Sequence, residues 1–83
     1  MSAETISVLG STGSIGKSTV DILLRYPERF KVKALTGNKN IALLAEQARK
    51  LSAEIAVTAD KSLYPELKKA LEGTAVRVAD SSD

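Results

Sequence analysis

Three glycines stand three residues apart at positions 10, 13 and 16, in the run Gly-Ser-Thr-Gly-Ser-Ile-Gly. The run follows an apolar segment and precedes a helical pattern, which is where parallel α/β proteins place a phosphate-binding turn. Gly10 would let the chain leave the strand in a conformation that a Cβ resists. Gly13 would let a pyrophosphate reach the main chain, and Gly16 would let the helix pack closely. The spacing therefore predicts that unpaired N–H groups at a helix start hold phosphate.

A second polar segment follows the next predicted strand. In a dinucleotide-binding fold this position lies beside the adenosine ribose, where an Asp or Glu selects NAD. No acidic residue lies between Glu28 and Glu46. Lys39 offers a positive charge instead, Asn38 and Asn40 offer amide donors, and a helix beginning here would add N–H groups. The segment therefore predicts NADP(H), although singly these residues are also typical of a solvated loop, a tight turn and a helix cap.

Strand and helix patterns alternate along the chain. The predicted strands are 6–9, 30–35, 54–58 and 75–79, and the predicted helices are 14–25, 41–51 and 63–72. Pro27 ends the first helix, Asn40 caps the second and Gly73 stops the third. The predicted inward face of the first helix consists of Gly16, Val20, Leu23 and Leu24. The first strand is mostly apolar, which predicts helices on both faces of the sheet.

The order β-α-β-α-β-α-β with short connections predicts an α/β fold, a Rossmann-like parallel sheet of about four strands with right-handed crossovers. The half-exposed pattern of the fourth strand favours an edge position and the order 4-3-2-1, while the order 3-2-1-4 stays open. The preferred order leaves the outer edge of the first strand unpaired. We therefore expect more chain after Asp83, or a second copy, to cover that edge.

Composition narrows the function classes. A length of 83 residues suits one small domain, here a single unit over 1–83, and is short for a complete dinucleotide enzyme. The absence of cysteine and histidine excludes disulfides, a thiolate nucleophile and the usual zinc ligands or general base. A net charge of +2 with three aromatic residues argues against nucleic acid. No signal peptide is visible and no apolar run approaches roughly 20 residues, so we expect a cytoplasmic protein without a membrane span.

Three other functions stay open. A phosphate-loop NTPase is suggested by the sequence Gly16-Lys17-Ser18, but that motif needs a glycine at position 11, where this chain has serine. A nonenzymatic nucleotide-sensing module could share the fold, because a fold does not define a function. Another NADP-linked dehydrogenase is the third alternative. A purely structural glycine turn would fit the motif as well.

With both polar segments placed, the chain resembles the amino-terminal part of the 1-deoxy-D-xylulose 5-phosphate reductoisomerase family. The match is carried by residues 9–16, 18–19, 21, 27–28, 30, 32, 34–35 and 39–40. The resemblance implies a parent enzyme that uses NADPH to rearrange and reduce 1-deoxy-D-xylulose 5-phosphate to 2-C-methyl-D-erythritol 4-phosphate, in non-mevalonate isoprenoid synthesis. It also implies Mg²⁺ or Mn²⁺ as a second cofactor and a homodimeric parent.

The resemblance and the glycine spacing together define the expected cofactor site. Its residues are Gly10, Thr12, Gly13, Ser14, Ile15, Gly37, Asn38, Lys39 and Asn40. Those before position 16 would lie on the phosphates and the nicotinamide side, and those from 37 to 40 at the adenosine end. The resemblance places the catalytic and metal-binding residues beyond Asp83, so the chain alone is expected to bind NADPH and to be inactive.

Overall fold

The computed structural model describes residues 4–37 and 39–80. In chain order the elements are β1 (Glu4–Val8), α1 (Ser14–Arg25), β2 (Phe30–Gly37), α2 (Ile41–Leu51), β3 (Ile55–Thr58), α3 (Tyr64–Ala70) and β4 (Arg77–Asp80), with a 3₁₀ turn at Lys61–Leu63. The predicted alternation of strands and helices is confirmed. The predicted third helix is shorter at both ends, and β2 continues two residues past its predicted end at Leu35.

The four described strands form one parallel sheet in the order β1-β2-β3-β4. This confirms the order 4-3-2-1 and excludes 3-2-1-4 for the described residues. Each strand is added on the same side of the previous one, and right-handed crossovers that advance in one direction place all their helices on one face. In agreement, α2 contacts both α1 and α3 as well as β2 and β3. The prediction of helices on both faces of the sheet is therefore wrong for the described residues.

The core lies between the helical layer and the inward face of the sheet. Its largest fully buried apolar side chains are those of Leu35 in β2, Leu44 in α2 and Leu67 in α3. The helical spacing of the sequence predicts an apolar stripe on α2, formed by Ile41, Leu44, Ala45, Ala48 and Leu51. The first four of these residues are buried, and Leu51 is half-buried. The outward side chains of β3, Ile55 and Val57, are only half-buried, as expected for a face without helices.

The local signals for the helix ends are confirmed. The Asn40 side chain accepts a hydrogen bond from the N–H of Leu43 at 3.2 Å, so Asn40 caps α2. Pro65 stands in the first turn of α3, where its missing N–H is tolerated. Gly73 has φ +81°, the left-handed conformation typical of the residue that stops a helix. In α1, Leu24 is 38% exposed, so its predicted inward position is wrong, because α1 is the first helix of the layer and has α2 on one side only.

Candidate phosphate-binding site

The glycine loop, residues 9–13, joins the carboxyl end of β1 to the start of α1. Gly10 has φ +68°, which confirms that this position needs a residue without a Cβ. The Gly13 N–H donates to the carbonyl oxygen of Gly10 at 3.0 Å and closes a tight turn. Gly13 itself has φ −78° and ψ 175°, an ordinary extended conformation. This conformation does not require a glycine. The absence of a side chain at Gly13 instead leaves the main chain uncovered at the start of the helix.

Gly16 allows α1 to lie directly on the glycine loop. A Cβ at this position would stand 2.1 Å from the Gly10 carbonyl oxygen and 2.6 Å from Ser11 Cα. Both distances are far below van der Waals contact, and both atoms belong to the main chain, so no side-chain rotation could make room. Gly16 is buried as predicted, and the surface against which it packs is the loop. The close approach holds the first turn of α1 against the end of β1.

The first turn of α1 presents unpaired main-chain donors. No hydrogen bond joins the N–H groups of Ser14, Ile15 or Gly16 to another described residue, and Gly13 provides no side-chain cap. The first turn also contains no acidic residue. The Ile15 side chain is 85% exposed, so nothing in the described part of the chain covers the helix start. The partial positive charge of the helix dipole at this end remains available to an anion.

Two distant residues hold the glycine loop in place. The Gly10 N–H donates to Thr36 Oγ1 at 2.8 Å, and the Ser11 N–H donates to the Thr36 carbonyl oxygen at 2.7 Å. On the other side, Gln47 Nε2 donates to the Ser11 carbonyl oxygen at 2.9 Å. Ser11 is fully buried, and Gln47 is 5% exposed. Neither Thr36 nor Gln47 was predicted from the sequence to be part of the site.

The loop and the start of α1 border an open groove of about 460 Å³. Its lining residues are Val8, Leu9, Gly10, Gly13, Ser14, Ile15, Gly16 and Thr19. The predicted residues Gly10, Gly13, Ser14 and Ile15 are thus brought together. Leu9 is 81% exposed and gives the groove an apolar rim beside the donors. The combination of free donors and apolar surface suits a ligand with both phosphate and ring groups.

The predicted adenosine end lies at the carboxyl end of β2, beside the same edge of the sheet. A Cβ at Gly37 would lie 3.3 Å from Thr12 Cγ2 and 3.2 Å from a methyl group of Leu44. The predicted phosphate-side residues and the predicted adenosine-side residues therefore meet at Gly37. Lys39 and Asn40 are exposed but do not line the groove. Asn38 lies outside the described residues. Asn40 Oδ1 accepts the capping hydrogen bond of α2, so the Asn40 side chain would contact a ligand through its amide nitrogen, as a donor.

The start of α2 offers fewer main-chain donors than predicted. The Ile41 N–H donates to the Lys39 carbonyl oxygen at 2.9 Å, and the Leu43 N–H donates to the Asn40 side chain. In the first turn, this leaves the N–H of Ala42 without a described acceptor. Anion binding at the adenosine end would therefore depend on the Lys39 charge and the Asn40 amide more than on the helix itself.

Asp60 brings a carboxylate to the adenosine end that the sequence analysis did not place there. The main chain after β3 is joined to β2 by a hydrogen bond from the Ala59 N–H to the Gly37 carbonyl oxygen at 2.9 Å. Hydrogen bonds from the hydroxyl and N–H of Ser62 lower the pKa of Asp60, and the Lys39 charge lowers that pKa further. Its signal in the sequence would have been its position just after β3, one strand away from Lys39.

The structure argues against phosphate-loop NTPase geometry. Lys17 is exposed and lines a separate hollow between α1 and α2, where its neighbours include Asp21, Glu46 and Lys50. It is absent from the lining of the glycine-loop groove, so its amine does not take the place of a Walker lysine. The described residues contain no cluster of three or more potential metal ligands. None of the described helices is both long and apolar enough to cross a membrane.

The chain was compared with known families and structures. The sequence model of the 1-deoxy-D-xylulose 5-phosphate reductoisomerase family matches residues 6–82. The chain belongs to this reductoisomerase family. The resemblance to this family that the sequence showed is confirmed, and so is the predicted Rossmann-like fold class.

Individual reductoisomerases are similar to this chain over most of its length. The Gluconobacter oxydans (strain 621H) enzyme is 61% identical over 74 residues, which cover 89% of this chain and 18% of that protein. The structure of the Zymomonas mobilis reductoisomerase in complex with NADPH superposes with a TM-score of 0.95 at 48% identity, covering 98% of this chain and 21% of that one. A reductoisomerase structure with NADPH, fosmidomycin and magnesium gives a TM-score of 0.86 at 28% identity, and the match covers 94% of this chain and 19% of that one. The chain thus spans about a fifth of the length of these relatives.

Proposed function

We propose that this chain is an NADPH-binding unit over residues 1–83, belonging to an enzyme that rearranges and reduces 1-deoxy-D-xylulose 5-phosphate to 2-C-methyl-D-erythritol 4-phosphate. The cofactor pyrophosphate would lie on Thr12, Gly13, Ser14 and Ile15, next to Gly10. The adenosine end would lie on residues 37–40. The similarity to reductoisomerases whose structures contain NADPH supports this assignment.

The observation that carries the proposal is the uncovered start of α1. Three consecutive N–H groups, those of Ser14, Ile15 and Gly16, have no described acceptor, and no acidic side chain of the first turn competes for them. A pyrophosphate provides the acceptors and the negative charge that such a helix start favours. The missing side chain of Gly13 provides the space, because a Cβ there would project beside these donors. The residues present therefore fit a dinucleotide.

The choice of NADPH over NADH depends on the adenosine end. An NAD-binding protein places a carboxylate at the end of the second strand, whereas this chain has Lys39 and Asn40 there. The Lys39 amine would attract a 2′-phosphate, and the free amide nitrogen of Asn40 would donate to it. Asp60 weakens this preference because its negative charge interacts with the positive charge of Lys39, although one of its two carboxylate oxygens, Oδ1, already accepts two hydrogen bonds from Ser62.

When bound, NADPH would supply the hydride for the reduction. The residues described here would bind and orient the cofactor, and none of them is proposed to be catalytic. The reductoisomerase structure that contains magnesium supports a metal-dependent parent enzyme that uses Mg²⁺. The family resemblance implies Mn²⁺ as the alternative metal. The described residues do not fit such a metal, since they contain no cluster of three or more His, Asp or Glu side chains. We propose that this chain alone does not turn over the substrate.

The partner surface proposed for this chain is the outer edge of β1. In the described part of the chain β1 pairs with β2 alone, so its other edge presents free main-chain groups. Leu9, which directly follows β1, is 81% exposed. The rest of a parent enzyme, itself a homodimer, or a second copy of this chain would cover the edge. A chain that stays monomeric by light scattering at millimolar concentration would contradict self-association. We also infer a cytoplasmic location for this protein.

Titration of the isotope-labelled chain with NADPH, NADH and ATP tests the cofactor proposal. NADPH is expected to shift the amide signals of Gly13, Ser14 and Asn40, NADH mainly the first two, and ATP few. The variant Gly13→Val should lose the response and stay folded, since its backbone is extended and the nearest atom to a Cβ lies 3.5 Å away. Ser18→Val, one turn later on the exposed side of α1, is the matched control and should bind like the wild type. Unchanged binding by Gly13→Val would remove the glycine loop from the site.

A further inference from the structure

The buried contact between α2 and the glycine loop has an unusual polar composition. Gln47 is 5% exposed in an otherwise apolar helix face, and its Nε2 donates to the Ser11 carbonyl oxygen at 2.9 Å. Its Oε1 and the Ser11 hydroxyl find no partner within the described part of the chain. A buried amide with one half unsatisfied is a poor choice for stability alone. Its position instead determines where the loop main chain lies.

Thr36 restrains the same loop from the other side. Its Oγ1 and carbonyl oxygen accept the N–H groups of Gly10 and Ser11 at 2.8 and 2.7 Å. The loop main chain is therefore held by one residue of β2 and one of α2, and Gly16 presses α1 onto it from outside. These contacts set the position of the first turn of α1, and with it the direction of its unpaired N–H groups.

Resting on the proposed function, we infer that Gln47 and Thr36 are positioning residues for the cofactor pyrophosphate. Neither side chain would touch the cofactor. Gln47 lies in the same helix that begins at the adenosine end with Asn40, so one rigid element relates the two halves of the site. Loss of its hydrogen bond leaves α2 in place, because Leu44, Ala45 and Ala48 still pack in the core. The glycine loop alone would loosen.

The test measures two ligands on the same variants. Gln47→Met keeps the shape of the side chain and removes the donor, and Thr36→Val keeps the branched shape and removes Oγ1. Adenosine 2′-monophosphate would reach only the adenosine end, whereas NADPH needs both ends. We expect each variant to bind NADPH roughly three- to tenfold more weakly, the effect of one neutral hydrogen bond, with unchanged affinity for adenosine 2′-monophosphate. The denaturation midpoint of Gln47→Met should change little, since the unsatisfied Oε1 is also removed.

Leu67→Val provides the control for a purely structural effect. Leu67 is fully buried in α3, away from the loop, so this variant lowers stability and should leave both affinities unchanged. Equal weakening of both ligands by Gln47→Met, or unchanged NADPH affinity in that folded variant, would overturn the inference while leaving the cofactor proposal intact. If Gln47→Met does not fold, the inference is tested on Thr36→Val, where equal weakening of both ligands or unchanged NADPH affinity would overturn it. Failure of the wild-type chain to bind NADPH would overturn both the proposed function and this inference.

Discussion

Replacing Gly16 by alanine tests the packing on which the site depends. The added Cβ would lie 2.1 Å from the Gly10 carbonyl oxygen and 2.7 Å from the Ser11 carbonyl carbon, so the loop or the helix must retreat by about an ångström. The Gly10 carbonyl oxygen also accepts the Gly13 N–H, and Ser11 is held on both sides by Thr36 and Gln47. Such a displacement therefore strains several hydrogen bonds at once.

The magnitude follows from three opposing effects. Overpacking of a tight contact costs about 1–3 kcal/mol. One or two broken hydrogen bonds add about 1 kcal/mol each. Alanine returns up to about 1 kcal/mol, because it is a better helix former than glycine. The net expectation is a loss of about 1–5 kcal/mol in the free energy of unfolding, with a middle value of about 3 kcal/mol, a large part of the total stability of a domain of this size. At that middle value the thermal midpoint should fall by more than about 10 °C.

Urea and thermal denaturation followed by circular dichroism, with and without NADPH, measure this effect. The matched control is Gly73→Ala, where the Cβ meets no atom within 4 Å and the left-handed φ of +81° alone costs about 1 kcal/mol. Gly16→Ala should lose clearly more stability than Gly73→Ala, and it should also lose the shift of the midpoint caused by NADPH. A Gly16→Ala variant that is as stable as the wild type and still binds NADPH would refute the packing argument.

Three further predictions concern the charged residues Lys39 and Asp60 at the proposed adenosine end. Lys39→Met should weaken NADPH binding and leave NADH binding unchanged, and equal effects on both in calorimetric titration would contradict the 2′-phosphate assignment. Asp60→Asn should bind NADPH slightly more tightly at low salt, because the Lys39 charge is no longer shared. Because the pKa of Asp60 is lowered in the folded state, its ionised carboxylate stabilises the fold at pH values above the ordinary carboxyl range. This stabilisation is lost as the pH falls through the pKa of the folded state. Urea midpoints below about pH 4 should therefore fall less in Asp60→Asn than in the wild type.

The amino-acid sequence by itself determined the elements and the chemistry of the turn. Glycine spacing, the Asn40 cap and the apolar stripe of α2 are local signals, because backbone conformation and helical period act over a few residues. The short connections predicted a parallel sheet, and the half-exposed fourth strand favoured the order 4-3-2-1, but the sequence left the order 3-2-1-4 open. The Gly10 conformation and the uncovered start of α1 also depend on neighbouring residues only, so both could be expected from the sequence alone.

The tertiary structure alone decided how the loop is held and which face of the sheet is covered. Thr36 and Gln47 reach the loop across 26 and 36 residues of chain, and no local pattern encodes a hydrogen bond between segments so far apart. Asp60 likewise lies close to the proposed adenosine end because β3 pairs with β2. The placement of all three described helices on one face follows from the direction in which successive crossovers advance, so it depends on the assembled sheet and not on the pattern of any one strand.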